Sequence, residues 1–428
     1  MTFKPGQQEC FVYIVLPRHT ELVTAGRFRL ETDNAGGAIG RFRYGRSYLD
    51  RPDCVPLDPV ELTLVPRTYT TVRMKGVFGA LRDAGPDYWG RRVIERHART
   101  TALGELDYLL YAPDDRAGAL AFGLAQDPPA PRRDFNKTLE LARLQEIANA
   151  VINEEAIPEG ASADPIDALL LAGTSMGGAR PKAVIEHEDA LWLAKFNHPE
   201  DRWNVARVEH AMLALAGECG LSTAASQVVD VAGRDVLLVR RFDREKAGSG
   251  YTRARMVSGL TLLQSEDTHG DRERWSYPLL AEELRRVSAA AADDAQELFR
   301  RMCFNAMISN TDDHPRNHAV IAKETDWRLS PAYDLTPATP VSIERRDLAM
   351  ACGDAGRYAN AQNLLSQAPR FLLKREESAE ILTAMRGCIQ SQWYRIARAC
   401  GVSEADCGKI ASAFLYQGFF HEDASGHA

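Results

Sequence analysis

Three oxygen-bearing side chains constrain this chain more than any other feature. Asp312 is followed five residues later by Asn317, and then by Asp334 in Ser330-Pro331-Ala332-Tyr333-Asp334-Leu335. The first two lie in Ile308-Ser309-Asn310-Thr311-Asp312-Asp313-His314-Pro315-Arg316-Asn317-His318, directly after a helical pattern over Glu297 to Met307. Between Asn317 and Asp334, two short apolar runs, 319–323 and 327–329, have the length of strands that turn back on themselves. They are expected to return Asp334 to the loop. Asp, Asn and Pro clusters are also ordinary turn formers, so the spacing alone fits a plain helix end as well.

Composition narrows the setting. The 428 residues leave room for two or three domains, and 45% hydrophobic with 26% charged residues is the balance of a globular chain. A net charge of −7 gives no overall attraction to nucleic acid or to an anionic membrane, so such contacts would rest on local patches or on a partner. The apolar run Phe11 to Leu16 has strand length, and no stretch approaches membrane-spanning length, so a cytoplasmic protein is expected. Eight cysteines without a CxxC pair are expected as reduced, buried thiols.

Residues 10–75 alternate apolar and polar, as in Arg27-Phe28-Arg29-Leu30, Arg41-Phe42-Arg43-Tyr44 and Val60-Glu61-Leu62-Thr63-Leu64. That period predicts a small antiparallel sheet, with its arginines on a solvated face or a binding face. Helical spacing follows over 77–101, with Pro86-Asp87-Tyr88-Trp89 as a helix start. Gln126 to Arg133 is Pro-rich and reads as a linker, ahead of a helix over Leu139 to Glu154. A Gly-rich loop, Gly173-Thr174-Ser175-Met176-Gly177-Gly178-Ala179-Arg180-Pro181-Lys182, then suits close backbone approach to phosphates, or a turn. It lacks the Walker A lysine. Leu191 to Phe196 is a strand carrying Lys195, followed by a helix over Trp203 to Ala216 carrying Glu209, and Val236 to Val239 is a buried strand.

In protein kinases an Asp accepts the substrate hydroxyl proton, an Asn and a second Asp hold Mg²⁺, and a strand Lys pairs phosphates beside a helix Glu. Asp312, Asn317, Asp334, Lys195 and Glu209 match that set in order. The ordered motifs resemble the HipA-like serine/threonine kinases, toxins of bacterial toxin–antitoxin modules. The resemblance runs through Pro86-Asp87-Tyr88-Trp89-Gly90-Arg91, Asp115-Arg116-Ala117-Gly118-Ala119-Leu120, the Gly-rich loop, Leu237-Leu238-Val239-Arg240-Arg241-Phe242-Asp243-Arg244, the 310–317 loop and Pro331-Ala332-Tyr333-Asp334-Leu335, nearly the whole chain.

The resemblance implies an α+β, bilobal protein-kinase-like fold with an N-terminal antiparallel β-rich module and a mainly helical C-terminal lobe. The expected segments are 1–125 for that module, 126–160 for a linker and helix, 161–245 for the N-lobe-like part, and 246–428 for the helical lobe. ATP and Mg²⁺ are the implied cofactors. Asp312 is implied as general base with His314 beside it, and Asn317 and Asp334 as metal ligands. Gly177, Gly178, Ala179, Lys182 and Lys195 with Glu209 are placed at the phosphates, and Arg241 and Phe242 at the adenine side. Ser175 is placed where the family autophosphorylates. The implied partners are a HipB-like helix-turn-helix antitoxin, with DNA reached only through it, and a substrate of the aminoacyl-tRNA synthetase class, especially glutamyl-tRNA synthetase. Arg240-Arg241 departs from the acidic residue many relatives carry there, and Asp313 replaces a glycine of some, either as an extra carboxylate or as a turn stabiliser. A catalytically silent binding module and a small-molecule kinase are the alternatives.

Overall fold

The computed structural model describes residues 6–153, 155, 180–198 and 200–421. The chain forms two compact units that exchange segments along the sequence. The first takes Met1–His198, Asp230–Thr261 and Ile321–Trp327, and the second takes Pro199–Val229, Leu262–Val320 and Arg328–Ala428.

In the first unit, strands β1 (Glu9–Val15), β2 (Leu22–Thr32), β3 (Ala38–Tyr44), β4 (Thr68–Thr71) and β5 (Leu120–Gly123) pair in the order β4-β3-β2-β1-β5. The two-residue period of the sequence sorts the faces. Phe28, Phe42, Tyr44 and Tyr69 point into the core, while Arg27, Arg29, Arg41 and Arg43 are exposed. Phe78 closes the core, its ring 6.2 Å from Phe28 and 6.5 Å from Phe42, both edge-on. Such pairs add about 0.5–1.5 kcal/mol each beyond burial. Gly40 is required here, because a Cβ would sit 1.8 Å from the Gly76 carbonyl oxygen.

Val60 to Leu64, expected as a strand, is not one. The buried Asp58 carboxylate takes the N–H groups of Val60, Glu61 and Leu62 on its Oδ1, at 2.8, 2.5 and 3.1 Å. Those donors would otherwise serve a ladder, so the segment bends around one side chain. The helix start holds: Tyr88–Ala98 is capped by Asp87, which accepts from the Gly90 N–H at 2.6 Å. The helix after the Pro-rich run spans Leu141–Ile152.

A second sheet of this unit contains β6 (Asn136–Lys137), β7 (Lys182–His187), β8 (Ala190–Phe196) and the strand Arg234–Arg240, in the order given. β7 and β8 are joined through Glu188 and Asp189, whose φ values of 48° and 58° mark a tight hairpin turn. Asp243 ties three stretches of this unit together. It accepts from Arg241 at 2.8 Å, Arg244 at 2.7 Å and the Gly118 N–H at 2.9 Å. Arg241 also donates to the carbonyls of Asp115 and Arg116, at 2.6 and 2.7 Å.

The second unit is mainly helical, with Val205–Glu218, Tyr277–Val287, Ala291–Met307 and Arg375–Ala399 as its longer elements. Ala291–Met307 is the central one. Leu298, Phe299, Met302, Cys303 and Met307 are fully buried at helical spacing, and Phe299 meets the Phe371 ring at 5.4 Å. The strands Ala319–Ala322 and Arg328–Leu329 follow the 310–317 loop as expected. No helix among the described residues is long and apolar enough to cross a membrane. All eight cysteines are free thiols.

Candidate active site

The site begins where helix Ala291–Met307 stops. Ser309 takes a left-handed backbone, φ 54°, and the Asn310 N–H closes on the Asn305 carbonyl at 2.8 Å. Two buried contacts hold this unfavourable geometry. The Ser309 hydroxyl donates to the Ala413 carbonyl at 2.6 Å and accepts from Arg346 at 2.7 Å.

Below the loop lies Asp313, 1% exposed. Its Oδ2 receives the Tyr277 hydroxyl, the Asn305 amide at 2.8 Å and contact from His318 Nε2 at 2.8 Å. Burial pushes its carboxyl up, but His318, Tyr277 and His314 outweigh that and hold it below the usual carboxylate range. Asp313 therefore anchors the turn from inside, which favours the turn-stabilising role over the extra-carboxylate one. Asn305, Tyr277, His318 and Arg346 went unnoticed in the sequence. Only Asn305, a polar residue on the apolar side of a helix, left a legible sign.

Above it, the turn presents Asp312 to solvent. The His314 N–H donates to the Asp312 carbonyl at 2.9 Å, and the Asn317 N–H to the His314 carbonyl at 2.8 Å, closing a single 3₁₀ turn over Pro315–Asn317. The Asn317 Nδ2 reaches the Asp312 carbonyl at 3.4 Å, which aims the amide along the loop. Asn317 is 7% exposed, and its Oδ1 makes no hydrogen bond among the described residues. His314 Nδ1 is likewise buried without a hydrogen bond there.

Asp334 is returned to this turn by fixed backbone. Asp294 accepts the Leu329 N–H at 2.8 Å, and Ser330 donates to the Ala319 carbonyl at 2.8 Å. Ala332 is bracketed by Ser222 at 2.7 Å and Ala224 at 2.9 Å, and the Tyr333 hydroxyl donates to the Arg316 carbonyl at 2.8 Å. Asp334 itself has φ 59°, and its carbonyl accepts from the Asn310 amide at 3.4 Å. A non-glycine residue held left-handed at a convergence of loops is a common mark of a functional position.

The electrostatics report the same closeness. Partial desolvation pushes the Asp312 carboxyl above its usual range; His314 pulls the other way, and the carboxylates of Asp334 and Asp313 add to the rise. A cluster whose acids repel one another favours a cation. The donor set, one amide oxygen and carboxylates, consists of the hard oxygens that Mg²⁺ accepts. No group of three or more His, Cys, Asp or Glu side chains among the described residues is arranged to hold a metal, so any cation here would depend on Asn317 and on ligands from outside the protein.

The remaining expected site residues lie as follows. In the first unit Lys195 sits half-buried on β8, paired in register with Lys182 and Leu237. Lys182 is buried with its ammonium on Asp87 at 2.6 Å. Arg241 is taken up by Asp243 and two carbonyls, and Phe242 is half-buried beside it. In the second unit Glu209 is 1% exposed on helix Val205–Glu218. Ser175, Gly177, Gly178 and Ala179 fall outside the described residues.

A family profile described as the HipA-like C-terminal domain matches residues 174–393, over half of the chain. The chain belongs to the HipA-like family. A Sinorhizobium fredii protein, Y4mE, described as a presumptive kinase, is 26% identical over 327 residues, 71% of this chain and 73% of that protein. A Haemophilus influenzae protein of similar description is 25% identical over 185 residues, and the match spans 54% of its length. Among solved structures, HipA of Shewanella oneidensis, determined with HipB and operator DNA, aligns over 91% of this chain and 93% of its own, with a TM-score of 0.66 at 17% identity. That likeness establishes a shared fold, mixed α/β with antiparallel sheets and helices.

Proposed function

We propose that this HipA-like chain is an ATP- and Mg²⁺-dependent protein serine/threonine kinase. The observation that carries the reading is Asp312: a solvent-facing carboxylate, pushed up in pKa partly by the nearby Asp334, on a turn whose Asp312 carbonyl takes the Asn317 side-chain amide N–H. A base poised above the usual carboxylate range suits acceptance of a hydroxyl proton in the transition state. Asp312 accepts that proton, and the fixed 3₁₀ turn holds it for in-line approach of the hydroxyl. His314 stands beside it in the loop. Asn317 and Asp334 would hold Mg²⁺, which when bound supplies charge neutralisation at the phosphates. By resemblance, Lys195 and Glu209 are assigned the α/β-phosphates, and Arg241 and Phe242 the adenine side. The ammonium of Lys182 is engaged by Asp87, so its part is to fix the strand that leaves the Gly-rich loop.

Ser175 is proposed as an autophosphorylation site. Phosphate there adds about −1.5 to −2 charges beside the bound triphosphate and disfavours rebinding of ATP. By family, the partner proposed is a HipB-like helix-turn-helix antitoxin, and the substrate class is aminoacyl-tRNA synthetases. Brief incubation with ATP and Mg²⁺, followed by phosphopeptide mass spectrometry, tests the reading. Phospho-Ser175 that vanishes in Asp312→Asn supports it; no phosphate on the wild-type chain or on an added synthetase would overturn it.

A further inference from the structure

Two thiols of the second, helical unit meet, and the phosphotransfer reading uses neither. Cys219 caps the C-terminus of helix Val205–Glu218, and Cys388 lies on helix Arg375–Ala399. The Cys219 S–H donates to the Cys388 sulfur at 3.2 Å, across 169 residues of chain. Burial, the Cys388 sulfur and the neighbouring Glu218 all push the Cys219 thiol up, so it keeps its proton and points it at Cys388.

The backbone on both sides is held. The Cys219 N–H closes on the Leu215 carbonyl at 3.0 Å, and Gly220 behind it takes a left-handed φ of 83°, which ends the helix. Cys388 sits inside its helix, and the Ser391 hydroxyl donates to its carbonyl at 3.2 Å. A disulfide needs its sulfurs about 2.05 Å apart, so closure from 3.2 Å asks for a shift of about 1 Å between two short side chains. Both residues are half-buried and within reach of a small solute, whereas Cys303 and Cys352 are fully buried.

We infer that Cys219 and Cys388 are a reversible oxidation site, closed to a disulfide by exchange with a low-molecular-weight disulfide. Cys388 attacks first: its thiolate takes one sulfur of the oxidant, forms a mixed disulfide and displaces the other sulfur as a thiolate. That thiolate takes up a proton, Cys219 loses its own, and the Cys219 sulfur then attacks the Cys388 sulfur and expels the second small thiol. The two protein thiols lose two electrons and two protons in all, and the small disulfide is reduced to two thiols. The second step is intramolecular and joins sulfurs already in contact, so the mixed disulfide is short-lived. The new bond ties helix Val205–Glu218, which carries Glu209, to helix Arg375–Ala399. Closure involves neither nucleotide nor phosphate, so its test is independent of the kinase reading.

Incubation of the full native chain with glutathione disulfide, followed by alkylation and tryptic digestion without reductant, tests this. Peptide 208–234 should appear joined to peptide 387–395. Alkylation should disappear from Cys219 and Cys388 together, and dithiothreitol should restore it. Cys219→Ser should stop at a glutathione adduct retained on Cys388, because the resolving sulfur is gone. In Cys388→Ser, Cys219 should react at least tenfold more slowly than Cys388 does in the first variant. Serine is close to the thiol in size, and a melting temperature near the wild type's shows that altered chemistry is not lost fold. Cys54, half-buried in the other unit, reports that the oxidant has reached the chain. Wild-type Cys219 and Cys388 both still alkylated once Cys54 has reacted overturn the assignment. So does a loss of thiols that dithiothreitol fails to reverse, or a link found only in a disulfide-bonded dimer on a non-reducing gel. Equal rates in the two serine variants overturn the order of attack.

Discussion

Asp312 and Asp313 are adjacent acids with opposite environments, and they yield opposite predictions. Asp312 has a raised pKa, so its ionised form is disfavoured in the fold, and the folded protein gains relative stability as pH falls through the window between the ordinary carboxylate value and the raised one. Asp312→Asn should therefore melt slightly above wild type near neutral pH while losing about 10²–10⁴-fold in phosphate incorporation. As the base must be ionised, activity should fall as pH drops through the raised value, with an acid limb above about 3.9. A rate unchanged down to that pH would remove Asp312 as the base. Asp313 has a lowered pKa, so its contribution is present above the ordinary carboxylate value and is lost as pH falls through the lowered one. Asp313→Ala strands Tyr277, Asn305 and His318 without their acceptor, and should cost about 3–5 kcal/mol by denaturant unfolding. The spacing of Asp312, Asn317 and Asp334 was legible because those residues are short-range in sequence. Asp313's partners were not, since Tyr277 lies 36 residues away on another helix.

At the scale of elements, alternation and capping were readable and local side-chain competition was not. The faces of β2 and β3, the Asp87 cap and the helices around Glu209 and Met307 follow periods and caps that each segment carries in itself. Val60 to Leu64 has a strand's alternation, yet one buried carboxylate captures its donors. Arg241 illustrates the other limit. Placed at the adenine side by resemblance, its guanidinium is buried on Asp243 and on the carbonyls of Asp115 and Arg116. Burial pushes the Asp243 carboxyl up, but Arg241 and Arg244 overcome this and hold it far below the usual range, so its contribution survives mild acid and disappears only as pH falls through that depressed value. Asp243→Asn should lower stability by about 3–5 kcal/mol and speed amide exchange at Gly118. Unchanged exchange there would show that the link is dispensable.

For the whole molecule, nucleotide binding should register as stability. MgATP at a hundred times its dissociation constant should add about 2.7 kcal/mol to unfolding, read as a higher melting temperature, and EDTA should remove most of that gain. An equal gain in EDTA would count against Asn317 and Asp334 as metal ligands. The chain's division into two units that trade segments, with 321–327 in the first and the flanking residues in the second, was not foreseeable by any window-based reading. By itself the sequence determined the period of each strand and helix, the helix start at Asp87 and the Asp312–Asn317–Asp334 series, because those signals depend on neighbours a few residues away. The tertiary structure alone decided which acid faces solvent and which is buried, where Lys182 and Arg241 spend their charge, and that Cys219 and Cys388 meet. Those outcomes depend on desolvation and on partners brought together from distant parts of the chain.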